Sequence, residues 1–171
     1  MNLAHHLLRA ARANRSAPAL FKGLTRVADY GRLAATVASL AASLQQRLGL
    51  ARGERVALLM KNVPDYVACL YACWHAGLVA VPINAKLHPR EVAFILDNSG
   101  AAVVFVTEDM AGVASEALTL GTAKPHIVEI GSAEHRRLET TEASPSPMSP
   151  SPIPPGSSTP AAPPAVPRAR C

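Results

Sequence analysis

Aromatic residues are few: three Phe, three Tyr and one Trp in 171 residues. The Lys and Arg side chains are scattered, form no stripe and have no aromatic neighbours interleaved. The charge-and-stacking footprint of a nucleic-acid binder is therefore missing. Cysteine is also scarce, with Cys69, Cys73 and Cys171 only. An odd count at that spacing is no secreted disulfide framework, so a reducing compartment, the cytoplasm, is expected. No apolar run approaches the roughly twenty residues that span a bilayer. The opening "MNLAHHLLRAARANR" is broken by polar residues and does not read as a signal peptide. Neither G-x-x-x-x-G-K-[ST], G-x-G-x-x-G nor G-x-S-x-G occurs, which removes the common phosphate loops and the nucleophile elbow.

What is present is unevenly distributed. Ten of the fifteen prolines lie between Ala143 and Cys171, a segment without Asp, Glu or any aromatic residue. Its branched aliphatics are Ile153 and Val166. So little apolar surface cannot offset the entropy of ordering the chain, and disorder is expected there. The foldable part is expected to be residues 1–142, followed by a Pro/Ala/Ser-rich tail over residues 143–171. The net charge of +5 falls to +3 without Arg168 and Arg170, a mildly basic domain.

Along residues 1–142 hydrophobic periodicity predicts alternating elements. A short amphipathic helix begins near Asn2, and "PALFKG" and "LTRVA" read as two strands around Gly23. "DYGRLAATVASLAASLQQRLGL" carries an apolar stripe through Leu33, Val37, Leu40, Ala41, Leu44 and Leu48, with Asp29 as its cap and Gly49 beyond its end. "ERVALLM", "LVAVPIN", "AAVVFVT" and "PHIVEIG" read as strands. Between them lie helices starting at Pro64, Pro89 and Glu108. In the helix from Pro64 the buried face is expected to be Val67, Leu70, Tyr71 and Trp74. Strands alternating with helices make an α/β fold with a partial parallel sheet and crossover helices. The ligand crevice of such a sheet lies at its carboxyl edge, here Lys61–Asn62, Asn84 and Thr107–Glu108.

Chemistry-bearing residues are sparse. Cys69 and Cys73 lie one helical turn apart and read as small packing residues, since no further metal ligand is spaced to join them. His75 points elsewhere on the same helix. His5 and His6 are neighbours on a helix and cannot face one another. Lys61 and Asn62 could touch a ligand, and they also suit a plain turn and cap. No catalytic, cofactor-binding or metal-binding residue is assigned.

Four motifs in sequence carry a resemblance: "GERVA" (Gly53 to Ala57), "NVPDY" (Asn62 to Tyr66), "GLVAVPIN" (Gly77 to Asn84) and "PREVAFILDNSGA" (Pro89 to Ala101). Together they resemble the N-terminal part of the adenylate-forming acyl-CoA synthetases, the AMP-dependent ligases, over roughly residues 3–130. "ADYGRLAATVASLAASLQQRLGL" is similar to the preceding family helix, with Gly31 and Arg32 departing from its usual residues. The resemblance implies a piece of the large N-terminal domain of that fold. Intact members use ATP and magnesium to make an acyl-adenylate from a carboxylate, then pass the acyl group to coenzyme A. Their phosphate loop "Y-T-S-G-T-T-G-x-P-K-G", adenine and ribose contacts and catalytic lysine all lie C-terminal to the matched motifs. No cofactor is therefore expected for this chain, no catalytic residue carries over, and a carboxylate and CoA are substrates only for intact relatives. Cut from a larger domain, it is expected to expose apolar surface and strand edges that favour aggregation or self-association.

The tail stands where the family has its phosphate loop. One choice of codons for "GSSTPAAPPAVPRARC" (Gly156 to Cys171), regrouped after one added base, reads Trp-Leu-Phe-Tyr-Thr-Ser-Gly-Thr-Thr-Gly-Arg-Pro-Lys-Gly-Ala-Met. A frameshift upstream of Gly156 is the expectation. The other reading of the tail is a Pro-rich arm on a small α/β interaction module, since "PAAP" and "PAVP" fit the P-x-x-P pattern of polyproline readers.

Overall fold

The computed structural model describes residues 2–140; the Pro-rich segment and its expected disorder lie outside the described residues. Helix α1 (Ala4–Ala13) leads into a hairpin of β1 (Pro18–Lys22) and β2 (Thr25–Asp29), paired antiparallel as the spacing around Gly23 predicts. Helix α2 (Tyr30–Gln46) follows. Its first turn is closed by Asp29, whose carboxylate accepts from the Arg32 N–H at 2.7 Å. Gly31 allows a tight crossing there. Its N–H donates to the Arg15 carbonyl at 2.8 Å, and a Cβ at this position would stand 3.1 Å from that oxygen and closer still to the Arg15 side chain.

Four strands then alternate with helices: β3 (Arg55–Leu59), α3 (Pro64–Ala76), β4 (Val79–Ile83), α4 (Pro89–Ser99), β5 (Val103–Val106), α5 (Ala111–Leu120) and β6 (His126–Glu129). A single 3-10 turn, Glu108–Met110, precedes α5. The strands form one parallel sheet in the order β4-β3-β5-β6. A last helix, α6 (Ala133–Glu139), was not anticipated from periodicity. Its signal was short: Ser132 caps it by accepting from the His135 N–H at 3.0 Å, and Glu134 sits in the first turn.

The sheet is covered on both faces, which explains its nearly continuous apolar strands. Val56 and Leu58 of β3 and Val103 and Phe105 of β5 pack toward α2, α3 and α6. The alternate residues Ala57, Leu59, Val104 and Val106 pack toward α4 and α5. Helix α3 corrects one expectation. Its fully buried stripe is Ala68, Cys69, Ala72, Cys73 and Ala76, while Val67, Leu70, Tyr71 and Trp74 are only half buried. Small side chains let α3 lie close against α2, so burial here follows proximity rather than side-chain size.

Candidate functional site

The chain runs from β3 outward to β4, then back past β3 to β5 and on to β6. The direction therefore reverses between β3 and β5, the place where sheets of this kind bind ligands at their carboxyl ends. The tertiary fold brings the sequence-predicted edge residues together there. The Lys61 N–H donates to the Thr107 hydroxyl oxygen at 3.4 Å, and the Lys61 ammonium forms an ion pair with Asp109. That contact, with the Thr107 hydroxyl, holds the Asp109 carboxyl below its ordinary range. Asn62 and Asn84 join Met60, Lys61, Tyr66 and Lys86 around a groove of about 730 Å³ at the ends of β3 and β4.

This edge is poorly suited to phosphate. A helix N-terminus attracts anions through free N–H groups and its dipole. Here α3 starts with Pro64, which has no N–H, and with Asp65. Helix α4 starts with Pro89. Its capping box ties the Glu91 carboxylate to the His88 N–H at 2.9 Å. The turn before α5 carries Glu108 and Asp109. The helices that follow β3, β4 and β5 thus each start beside a carboxylate, and Lys61 is paired with Asp109 while Lys86 lines the groove.

The two described thiols, Cys69 and Cys73, are buried. Burial pushes Cys73 up to about 12, and burial, with Cys73 and then Asp65 and Glu139 nearby, raises Cys69 well above the ordinary thiol range. His5 and His6 are solvent-exposed on α1 and share no site.

A second grouping was missed by sequence reasoning, because it joins residues about seventy positions apart. Asp65 from the first turn of α3 meets His135 and Glu139 of α6. One ligand atom from each lies within 4.8 Å of the others. His135 is 2% exposed and packs edge-on against Phe105, with ring centroids 6.3 Å apart. Asp65 and Glu139 line a groove of about 300 Å³ between the hairpin, α2 and α3.

Comparison with known proteins places this architecture. The profile of the family described as "AMP-binding enzyme" matches residues 7–167. A long-chain-fatty-acid–CoA ligase of Haemophilus influenzae is 32% identical over 120 residues, 70% of this chain and 21% of that protein. The ligase FadD13 of Mycobacterium tuberculosis is 46% identical over 68 residues, 40% of this chain and 14% of that protein. Among solved structures, the N-terminal domain of FACL13 from Mycobacterium tuberculosis superimposes with a TM-score of 0.74 at 31% identity, covering 84% of this chain and 37% of that one. The chain spans about a fifth or less of the length of these two curated ligases. No helix among the described residues is long and apolar enough to cross a membrane.

Proposed function

The chain belongs to the AMP-binding enzyme family, and on that premise we propose that it is a scaffold piece of an AMP-forming acyl-CoA ligase that carries out no adenylation by itself. Intact relatives of this kind would join a carboxylic acid, a fatty acid by the names of the similar ligases, to coenzyme A at the expense of ATP and magnesium. The observation that supports the reading is a ligase scaffold that covers only a small part of the relatives it matches, without the family's phosphate loop among the described residues. The family's phosphate loop lies C-terminal to the matched motifs, and the helix starts at the described edge carry Asp65, Glu91, Glu108 and Asp109 rather than a substitute for it. An adenylating site needs backbone N–H groups and a free cation to hold the developing charge. At the described edge Lys61 is engaged with Asp109, and Lys86 lines the groove without a phosphate loop beside it.

The same reading assigns residues 1–142 to an incomplete ligase domain and residues 143–171 to an out-of-frame tail. The codon regrouping that yields "YTSGTTG" supports it. It also places the chain in the cytoplasm, in keeping with two free buried cysteines at Cys69 and Cys73. The decisive experiment has two parts. Purified chain is assayed for carboxylate-dependent exchange of pyrophosphate into ATP, and the gene is sequenced across codons 140 to 171 and past the stop. No exchange, with "YTSGTTG" in the shifted frame, is the expected outcome. Exchange above background would overturn the inactivity, and shifted codons that encode anything else would overturn the frameshift.

A further inference from the structure

The grouping of Asp65, His135 and Glu139 lies on the face of the sheet that packs against α2 and α3, and the ligase reading makes no use of it. We propose that these three side chains form a zinc-class divalent metal site that clips α6 to α3. The inference does not rest on the ligase reading.

Three observations converge on it. The three donor atoms already lie within 4.8 Å of one another. Ligands about 2.0–2.2 Å from a tetrahedral ion stand roughly 3.4 Å apart, so small side-chain rotations close the site. His135 is buried yet poorly partnered. Its Nδ1 receives the Gly131 N–H at a long 3.4 Å and stands 3.8 Å from the Glu139 carboxylate. Its Nε2 is buried without a hydrogen-bond partner among the described residues. Finally, two carboxylates converge beside that ring. Lys22 and Arg32 line the same groove, but neither forms an ion pair with Asp65 or Glu139.

A dication would offset the two negative charges and take the Nδ1 lone pair, the ring nitrogen that faces Glu139 and now has only the long Gly131 contact, leaving the ring proton on Nε2; it reaches the site through the groove that Asp65 and Glu139 line. One imidazole with two carboxylates favours zinc over magnesium or calcium, which prefer oxygen alone. The spacing agrees, since His135 and Glu139 are four residues apart and project from one face of α6.

The test uses the full chain, freed of metal by chelation, with zinc as ligand and cobalt(II) as the visible probe. One equivalent of zinc should bind and raise the melting temperature, and cobalt should give d–d bands that zinc bleaches. Asp65→Asn and Glu139→Gln nearly preserve shape, and each should weaken zinc by about tenfold or more. Circular dichroism of each variant without metal reports whether it folds. A paired His5→Gln/His6→Gln variant should bind zinc like the parent. Equal zinc affinity in the parent and the Asp65→Asn/Glu139→Gln double variant would overturn the proposal. So would absence of zinc binding to the parent, loss of binding on replacing His5 and His6, or equal competition by magnesium.

Discussion

The Ser43 hydroxyl, fully buried in α2, donates to the Leu138 carbonyl at 2.7 Å. That carbonyl belongs to the last turn of α6, where no intrahelical partner is available. One side chain thus holds the final described helix against the first long one, with Leu138 buried in the same cluster. Ser43→Ala leaves the acceptor buried and unpaired. A loss of about 1–2 kcal/mol in unfolding free energy is expected, read by urea titration. An unchanged midpoint would mean that this hydrogen bond contributes nothing to stability.

Gly77 ends α3 at φ +73°, with its N–H turned back to Cys73 and Trp74. A Cβ added there would also stand 3.2 Å from the Arg52 guanidinium carbon. Gly77→Ala should cost about 1–2 kcal/mol, from the left-handed backbone and the displaced Arg52 together. Gly100→Ala shares the backbone strain at φ +60° but meets open space, so it should cost less. Thermal melts of the two variants compare them directly.

Phe94 on α4 is 70% exposed, beside Leu87 and Ile95 in an apolar hollow. Phe21, Leu24 and Val79 are exposed as well. If the chain is a piece of a larger domain, this surface is normally covered. Phe94→Glu should raise the soluble, monodisperse fraction in size-exclusion chromatography and leave the melting temperature within about a degree. A large fall in melting temperature would show instead that Phe94 packs within this chain.

His75 is half buried at the end of α3, and burial, with His5 as a lesser influence, lowers its pKa below the ordinary imidazole value of 6.5. Between the depressed folded value and 6.5 the unfolded chain binds more protons than the folded one. Stability from this group is therefore complete above pH 6.5 and declines as pH falls toward the folded value. His75→Gln should flatten that part of a stability–pH profile measured by urea unfolding. A profile with the same slope would assign the decline to another group.

The elements were legible where local chemistry and period agreed. Asp29 before an apolar stripe, Pro64 and Pro89 at helix starts, and Gly77 and Gly100 after helix ends each fulfil the role their residue type suggests. Helix α6 was not legible, because seven residues are too few for periodicity and only the Ser132 cap marked its start. The buried face of α3 was misread for a different reason. A large side chain signals burial only where there is room for it, and α3 lies against α2 through alanines and cysteines.

The carboxyl-edge residues were named from strand order, since Lys61, Asn62, Asn84 and Thr107 follow apolar runs. That Lys61 is bound to Asp109, across two strands of the sheet, needed the tertiary structure. The same holds for Asp65, His135 and Glu139.

By itself the sequence determined every helix and strand except α6, that the four strands of the main sheet run parallel, and that the scaffold resembles an acyl-CoA ligase. These follow from residue type, hydrophobic period and connection length, all local quantities. Only the tertiary structure decided the strand order β4-β3-β5-β6, and with it the reversal between β3 and β5. It also decided which carboxylates meet a cation and which meet each other. Such pairings depend on distances between segments far apart in the chain, and no local pattern encodes them.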